Sequence, residues 1–326
     1  MTLAVTKVRE LFKNQQFVLL LVLAAMVAFF TIKNPIFFTN DVFANIVSDW
    51  APVVLMAVGQ TYVIISGGID LSVGSTVGLS GIAAAFAMRS MTQHSVNQDF
   101  TIVVGTLIAL AVGIAVGLIN AFLINKARIV PFVATLATLG AARGLCIVTT
   151  GGGPVGEGPQ KGFKYSVAWL GPFNTPALMV VVIVIVAGLF MHKARFGRYN
   201  YAIGSNTFAA RGAGINVKRH LTKVYVLSGA LSGLAGMYLY IRLGSGSPSS
   251  GASGELMAIA AVVIGGTSLA GGTGRMSGTV IGALILTTVT SGLIIIGVAP
   301  NWKDVVVAVL IAGAVFTQGL RTWTKD

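Results

Sequence analysis

The strongest chemical signal in this sequence is a single acid inside an apolar stretch. Asp70 follows Gly67 and Gly68 in the string Ser-Gly-Gly-Ile-Asp-Leu-Ser-Val-Gly-Ser, which occupies residues 66–75. Paired glycines weaken a helix, and inserting a carboxylate into a bilayer costs roughly 3 kcal/mol. Such an acid either borders a solute path or, with Ser72, caps the next helix by accepting free backbone N–H groups. The residues leave both interpretations open.

A related glycine string lies near the other end of the chain. Residues 67–74 and 265–272 share the pattern Gly-Gly-x-x-Leu-x-x-Gly. Paired interrupted segments indicate a duplicated transport fold, although coincidence is the alternative in a chain with 41 glycines. The pattern does not separate a parallel from an inverted repeat. The residues predicted to form the breaks and border a translocation pathway are Ser66, Gly67, Gly68, Asp70, Ser72, Gly74, Gly265, Gly266 and Ser268.

Composition places these breaks in a membrane protein. Hydrophobic residues make up 55% of the 326 residues and charged residues only 10%, whereas soluble domains carry roughly 25% charged residues. The net charge of +13 comes from bases clustered in short loops, which argues against a nucleic-acid-binding surface. One cysteine, Cys146, and three scattered histidines exclude an internal disulfide and predict no metal site.

Apolar runs of about 20 residues predict the elements that position these motifs. The fold class is therefore all-α integral membrane, with about ten transmembrane helices and glycine-broken segments. Lys33, Asn34 and Pro35 follow the first run in place of a small-residue cleavage site, so this run is read as an uncleaved span and not as a signal peptide. The ten predicted spans are 17–32, 43–66, 71–88, 100–124, 131–150, 174–192, 223–243, 255–270, 276–297 and 303–320.

The distribution of basic residues predicts the orientation. With ten spans and the N-terminus inside, 15 of the 22 bases are cytoplasmic and six are on the other side, while Arg143 lies within a span. This asymmetry follows the positive-inside rule, so both termini are predicted to be cytoplasmic. The predicted parts are a cytoplasmic segment 1–16, a transmembrane permease domain 17–320 and a cytoplasmic tail 321–326.

The longest predicted cytoplasmic stretch, 193–222, carries seven bases if Lys223 is included, and no acid. In the first interpretation only the charge matters, as an orientation signal or as a contact for lipid headgroups. Loops of this length are usually functional, and the pattern predicts a short helix capped by Asn206 and ended by Gly212 and Gly214. The second interpretation is a docking element. Its small residues, Ala209 and Ala210, would let a partner surface approach closely.

Motifs that the sequence lacks argue against some energy sources for transport. The sequence has no Gly-x-x-x-x-Gly-Lys-[Ser/Thr] phosphate loop, so the chain is not expected to hydrolyse ATP. It also lacks a buried series of Asp, Glu and His for proton relay, which disfavours an ion-driven carrier. A self-sufficient secondary carrier or channel is the alternative interpretation. A membrane anchor or enzyme is disfavoured because no catalytic pairing is visible.

Three motifs in order give the chain a family resemblance. The string at 66–75 resembles the most recognisable motif of the membrane permease subunits of bacterial ABC importers of the ribose, xylose and galactose class. Residues 260–272 are similar to the later hallmark of that family, and residues 197–199 with 204–215 are similar to its ATPase-docking segment. The resemblance covers about residues 36–320, except for the loops at 89–100 and 155–175.

The resemblance implies the translocation subunit of an ATP-driven importer in the bacterial inner membrane, with a ribose-type pentose as first substrate and a related polyol or sugar-derived compound as alternative. A cytoplasmic ABC ATPase would hold ATP and magnesium, and this chain would hold no cofactor. The other implied partners are a periplasmic or lipid-anchored sugar-binding protein, membrane lipid and a second permease, either identical or a paralogue. The residues implied in ATPase coupling are Asn206, Ala209, Ala210, Arg211, Gly214 and Ile215.

Overall fold

The computed structural model describes residues 15–167, 170, 173–299 and 302–323. Within these ranges the chain is helical, with two isolated β-bridges and no β-strand. Residues 1–14 of the predicted segment 1–16 and residues 324–326 of the predicted tail 321–326 lie outside these ranges.

The described residues form thirteen α-helices, and a short 3₁₀ turn follows the first. Their bounds are α1 Gln15–Lys33, α2 Asn40–Ile65, α3 Val73–Gln93, α4 Gln98–Asn125, α5 Pro131–Thr150, α6 Gln160–Tyr165, α7 Thr175–Lys193, α8 Arg195–Ser205, α9 Thr207–Gly212, α10 Val217–Leu243, α11 Gly254–Ile264, α12 Met276–Ile295 and α13 Trp302–Trp323.

A helix occupies each of the ten predicted spans. Seven of these helices (α1, α2, α4, α5, α7, α10 and α12) are long and apolar enough to cross a membrane, judged by length and composition. The other three are α3, α11 and α13. At 1.5 Å per residue, the 11 residues of α11 cover about half of a bilayer core, so the predicted span 255–270 is too long by the residues after Ile264. The all-helical membrane fold is confirmed, and the count of ten spans stays a prediction.

Glycines bring the inner helices into backbone contact. Gly113 and Gly117 of α4 lie against α10, and Gly229 and Gly233 of α10 lie against α4. A Cβ at any of these four positions would meet main-chain atoms of the other helix at less than van der Waals distance. This small-xxx-small packing lets two apolar helices associate in lipid, where no hydrophobic effect drives them together.

The two ends of the bundle differ in charge pairing. At one end, hereafter the ion-pair end, the salt bridges Arg89–Glu157 (2.8 Å), Lys161–Asp99 (2.5 Å) and Arg242–Asp49 (2.5 Å) connect helices and loops. The Asp99 carboxylate raises the pKa of Lys161 above its usual value. The opposite end carries α8 and α9 and is hereafter the α8 end. There Asn125 at the end of α4 donates to the carbonyl of Lys218 at the start of α10 (3.1 Å).

Candidate functional site

The first helix break follows α2 at the α8 end. Gly67 adopts φ +85°, a left-handed conformation that suits glycine, and this residue turns the chain out of the helix. The N–H groups of Gly67 and Gly68 donate to the carbonyls of Ile64 and Val63, both at 2.9 Å. These bonds satisfy carbonyls at the end of α2 that have no partner further along the helix.

Asp70 lies in this break at the centre of a buried polar network. Its side chain accepts hydrogen bonds from the Ser72 N–H (3.0 Å), the Ser72 hydroxyl (2.6 Å) and the Ser228 hydroxyl (2.9 Å). Asn120 reaches the same group through its donation to Ser72 (2.8 Å), and Thr138 donates to Asn120 (2.6 Å). The network therefore joins the break to α4, α5 and α10.

The hydrogen bonds of Asp70 and Ser72 differ from the predicted helix cap. Ser72 precedes α3 but makes no side-chain cap bond to that helix. Instead Asp70 accepts the Ser72 N–H, which closes a local turn immediately before α3 begins. Asp70 is 1% exposed, and Ser66, Ser72 and Gly74 are also buried within the packing of the chain itself. Their predicted role on a pathway stays a prediction.

The second break follows α11 and repeats the first turn with a different register. Gly266 adopts φ +87°, and the N–H groups of Gly266 and Thr267 donate to Val263 (2.9 Å) and Val262 (3.1 Å). Gly67 therefore corresponds to Gly266, whereas the shared sequence pattern pairs it with Gly265. Ser268 closes the loop that follows, because its N–H donates to Thr273 at 3.1 Å. Since α2 and α11 both end at the α8 end, the two breaks have the same direction.

The two breaks touch each other and share α8 as a support. The Gly272 N–H donates to the carbonyl of Ile65, the last residue of α2 (2.9 Å). Gly204 of α8 lies directly on this bond, and a Cβ at Gly204 would meet the Ile65 oxygen and the Gly272 nitrogen. The hydroxyl of Tyr201, also in α8, donates to the Gly274 carbonyl (2.8 Å). The helix α8 therefore contacts both breaks.

A buried asparagine completes the attachment of α8. Asn200 donates from Nδ2 to the Tyr62 carbonyl in the last turn of α2 (2.8 Å), and its Oδ1 lies 3.1 Å from His220 Nε2 in α10. Phe196 packs against His220 with ring centroids 4.6 Å apart. Sequence reasoning placed Gly204 only within the docking segment 204–215, and it did not single out Asn200 or His220. The Tyr62 partner of Asn200 lies 138 positions away along the chain.

The short helix α9 continues from α8 at the surface. Asn206 caps α9 as predicted, since its side chain accepts the Ala209 N–H at 2.9 Å. Gly214 adopts φ +82° beyond the helix end, and the Ile215 N–H returns to the Ala210 carbonyl (3.1 Å). This loop is therefore helical over most of its length.

Ala210, a predicted contact residue, is buried inside the protein. Ala210 is buried in a cluster with Ile203 and Val217, so it holds α9 against α8 and α10 and is not part of the exposed face. Ala209 and Arg211 are exposed. Their neighbour Phe208 has a side chain that is 86% exposed, and sequence reasoning did not single it out. A large exposed apolar residue among polar neighbours is typical of an interaction site.

Comparison with known proteins identifies the family of this chain. A family model described as "Branched-chain amino acid transport system / permease component" matches residues 42–315, which include both breaks, α8 and α9. The chain belongs to this permease family. It is a multi-pass integral membrane protein with the apolar helices such a permease needs. No solved structure matches the permease.

Named relatives of the permease are importer components. It is 41% identical over 307 residues to the ribose import permease protein RbsC of Escherichia coli K12, covering 93% of each chain. It is 41% identical over 292 residues to the RbsC protein of Bacillus subtilis strain 168, covering 89% of this permease and 88% of that one. It is 34% identical over 319 residues to the galactose/methyl galactoside import permease protein MglC of E. coli K12, covering 94% and 93%.

Proposed function

We propose that this permease is the transmembrane translocation subunit of an ATP-driven importer of a monosaccharide, with a ribose-type pentose as its first substrate. The observation that carries the proposal is α8, which contacts both helix breaks and continues directly into the exposed helix α9. The RbsC and MglC relatives support import and a sugar as cargo. The choice among sugars needs an uptake measurement, since relatives named for ribose and for galactose both match this permease along most of the chain.

In this proposal the ATP and magnesium belong to a partner. The sequence carries no phosphate loop, so a cytoplasmic ABC ATPase would dock on α9 and supply the energy. In this proposal Asn206, Ala209, Arg211 and Gly214 keep their coupling roles and Phe208 is added. Ala210 and Ile215 support α9 from the inner side. A sugar-binding protein would deliver the cargo at the ion-pair end, and a second permease copy would complete the pathway.

The charge arrangement supports a cytoplasmic α8 end. All three salt bridges among the described residues lie at the ion-pair end, so the bases there are largely balanced by acids. The bases at the α8 end make no salt bridge within the described part of the chain, which leaves the excess positive charge on that side. Ten spans and cytoplasmic termini therefore remain part of this proposal.

Thiol labelling in intact cells tests this orientation. After replacement of Cys146, single cysteines at positions 95, 160 and 211 should react differently with a membrane-impermeant reagent. Positions 95 and 160 should be labelled because they lie at the ion-pair end, and position 211 should be labelled only after lysis. Labelling of 211 but not of 95 and 160 in intact cells contradicts the ten-span orientation.

The exposed phenylalanine gives a test of the docking surface. Phe208→Ser should lower co-purification of the ATPase about tenfold, because removal of a buried interface aromatic typically costs more than 1 kcal/mol. Phe163→Ser is the matched control, since Phe163 is also exposed (58%) but lies at the ion-pair end. Equal ATPase recovery from both variants would place the docking surface elsewhere.

The proposed function itself is tested by uptake in a strain lacking other ribose transporters. The permease is expressed with the ATPase and binding protein encoded beside its gene, and uptake of labelled ribose is measured with unlabelled sugars as competitors. Ribose should enter only when all three components are present. Ribose uptake by the permease alone would favour a secondary carrier.

A further inference from the structure

A non-helical, serine-rich segment separates α10 from α11. Residues 245–253 read Ser-Gly-Ser-Pro-Ser-Ser-Gly-Ala-Ser, between the end of α10 at Leu243 and the start of α11 at Gly254. Hereafter this is the serine segment. It contains five hydroxyl side chains and no charge, and the sequence alone reads as an ordinary surface loop.

Close contacts place the serine segment deep within the bundle. Gly246 lies against Gly81 near the middle of α3, where a Cβ would come within 2.7 Å of the Gly81 carbonyl oxygen. Gly251 lies against Val77, one turn into α3, with a corresponding distance of 2.8 Å to the Val77 Cβ. The segment therefore runs along the half of α3 nearer the α8 end. Because α3 crosses between the two ends of the bundle, the segment lies at membrane depth.

Arg143 holds the segment at this depth. It lies in the interior of α5, and its guanidinium donates to three carbonyls of the segment, those of Pro248, Ser250 (3.4 Å) and Gly251 (3.4 Å). None of these carbonyls belongs to a helical residue, although that of Gly251 also accepts from the Gly254 N–H (3.0 Å). An arginine in a span requires such acceptors. Arg143 is therefore a positioning residue, with its charge directed at the backbone.

The side of the segment away from Arg143 is open and polar. Ser249 is exposed, and Ser247 is part-exposed at a distance of 2.8 Å between the two hydroxyl oxygens. Ser253 adopts φ +57°, a strained conformation for a residue other than glycine, and it lies at the edge of a mostly apolar cavity of about 340 Å³ between α11 and α13. Backbone strain of this kind is concentrated at binding sites.

An open polar backbone at this depth cannot face lipid. Hydrocarbon offers no hydrogen bonds, so non-helical backbone occurs there only inside protein or along a water-filled path. By contrast, the exposed side chains of α7, such as Val182 and Val186, are apolar and suit lipid. Glu255, next to the segment, has a buried carboxylate oxygen without a hydrogen-bond partner among the described residues. An unsatisfied acid beside uncharged hydroxyls is typical of a solute path.

We propose that Ser247, Ser249 and Ser253 line the sugar path and bind the hydroxyl groups of a neutral sugar. The inference rests on the proposed function, and it moves the path from the buried residues around Asp70 to the serine segment. Hydroxyl groups both donate and accept hydrogen bonds, so they match a sugar hydroxyl in either role without adding charge. Selectivity of the path would then be low, because nothing in the segment fixes one arrangement of sugar hydroxyls.

Cysteine accessibility in the working complex tests the path. Ser249→Cys and the control Val186→Cys are made in a Cys146→Ser background and treated with a charged, water-soluble methanethiosulfonate. The Ser249→Cys variant should react at least tenfold faster than the control, and its modification should reduce uptake of the transported sugar, ribose in the first instance, by at least half. A reaction no faster than that of the control, or full modification without loss of uptake, would overturn the proposal.

The outcome is separable from that of the proposed function. If the unmodified complex imports sugar but the Ser249→Cys variant is inert to the charged reagent, only the path assignment fails. If the complex imports no sugar, the proposed function fails, and the labelling rates alone still report whether water reaches the segment. Ser249→Ala, which removes the hydroxyl without adding bulk, should raise the KM for sugar more than it lowers the maximal rate.

Discussion

Replacement of Gly204 by valine is expected to lower ATP-driven uptake about a hundredfold while the protein still inserts into the membrane. The added side chain would meet the Ile65 carbonyl oxygen and the Gly272 nitrogen, which are main-chain atoms held by their mutual hydrogen bond. Overpacking of this kind costs about 1–3 kcal/mol, and here the cost falls on a point where α8 contacts both breaks.

Gly140→Val provides the matched control for Gly204→Val. Gly140 is exposed on α5, away from α9, and no atom lies within 4 Å of a Cβ placed there, so the same change adds bulk to open space. Uptake and ATPase co-purification are measured for both variants at equal membrane levels. Near-normal uptake by the Gly204→Val variant would mean that α8 does not transmit motion to the breaks.

Asp70→Ala is the second change with a large expected effect. It removes the acceptor for the Ser72 N–H and for the hydroxyls of Ser72 and Ser228 in a site that excludes water. A buried donor left unsatisfied costs about 1–3 kcal/mol, so this variant should be poorly folded and should give little transport. The melting temperature of the purified permease and sugar uptake are the measurements.

Asp70→Asn separates the charge of this residue from its hydrogen bonds. The amide oxygen can still accept from Ser72, and the amide NH₂ group can donate to the Ser228 hydroxyl, which is able to accept. Because a neutral sugar needs no countercharge, this variant should retain most of its stability and uptake. Complete loss of uptake in both variants at normal protein levels would show instead that the charge itself serves transport.

The sequence predicted the helical membrane fold and the place of both breaks because these depend on local properties. Apolar run length predicts spans, and Gly67 and Gly266 are needed where the backbone turns left-handed. The register of the second string was wrong by one residue, because the pattern aligns the shared letters, whereas the left-handed turn falls on the first glycine of one string, Gly67, and on the second glycine of the other, Gly266. The limit of α11 was also missed, because the predicted span 255–270 ran through Gly265 and Gly266, where the helix ends.

Contacts between distant residues could not be predicted from the pattern. Asn200 and Tyr62 are 138 positions apart, and nothing near Asn200 distinguishes it from other polar residues of a basic loop. Ala210 is buried because α9 packs on Ile203 and Val217. The sequence of a six-residue helix does not show which of its sides is packed. Arg143 was a usable signal, because an arginine inside a span requires nearby acceptors. Those acceptors belong to the serine segment.

In the proposed function this permease moves sugar only when a partner hydrolyses ATP. Accumulation of labelled ribose in proteoliposomes that contain the purified permease, ATPase and binding protein tests this dependence. Ribose should accumulate above the outside concentration when ATP is on the side of α9, and it should not accumulate when ATP or the ATPase is omitted or when a non-hydrolysable analogue is used. Accumulation by the permease alone under a proton or sodium gradient would contradict ATP-driven transport.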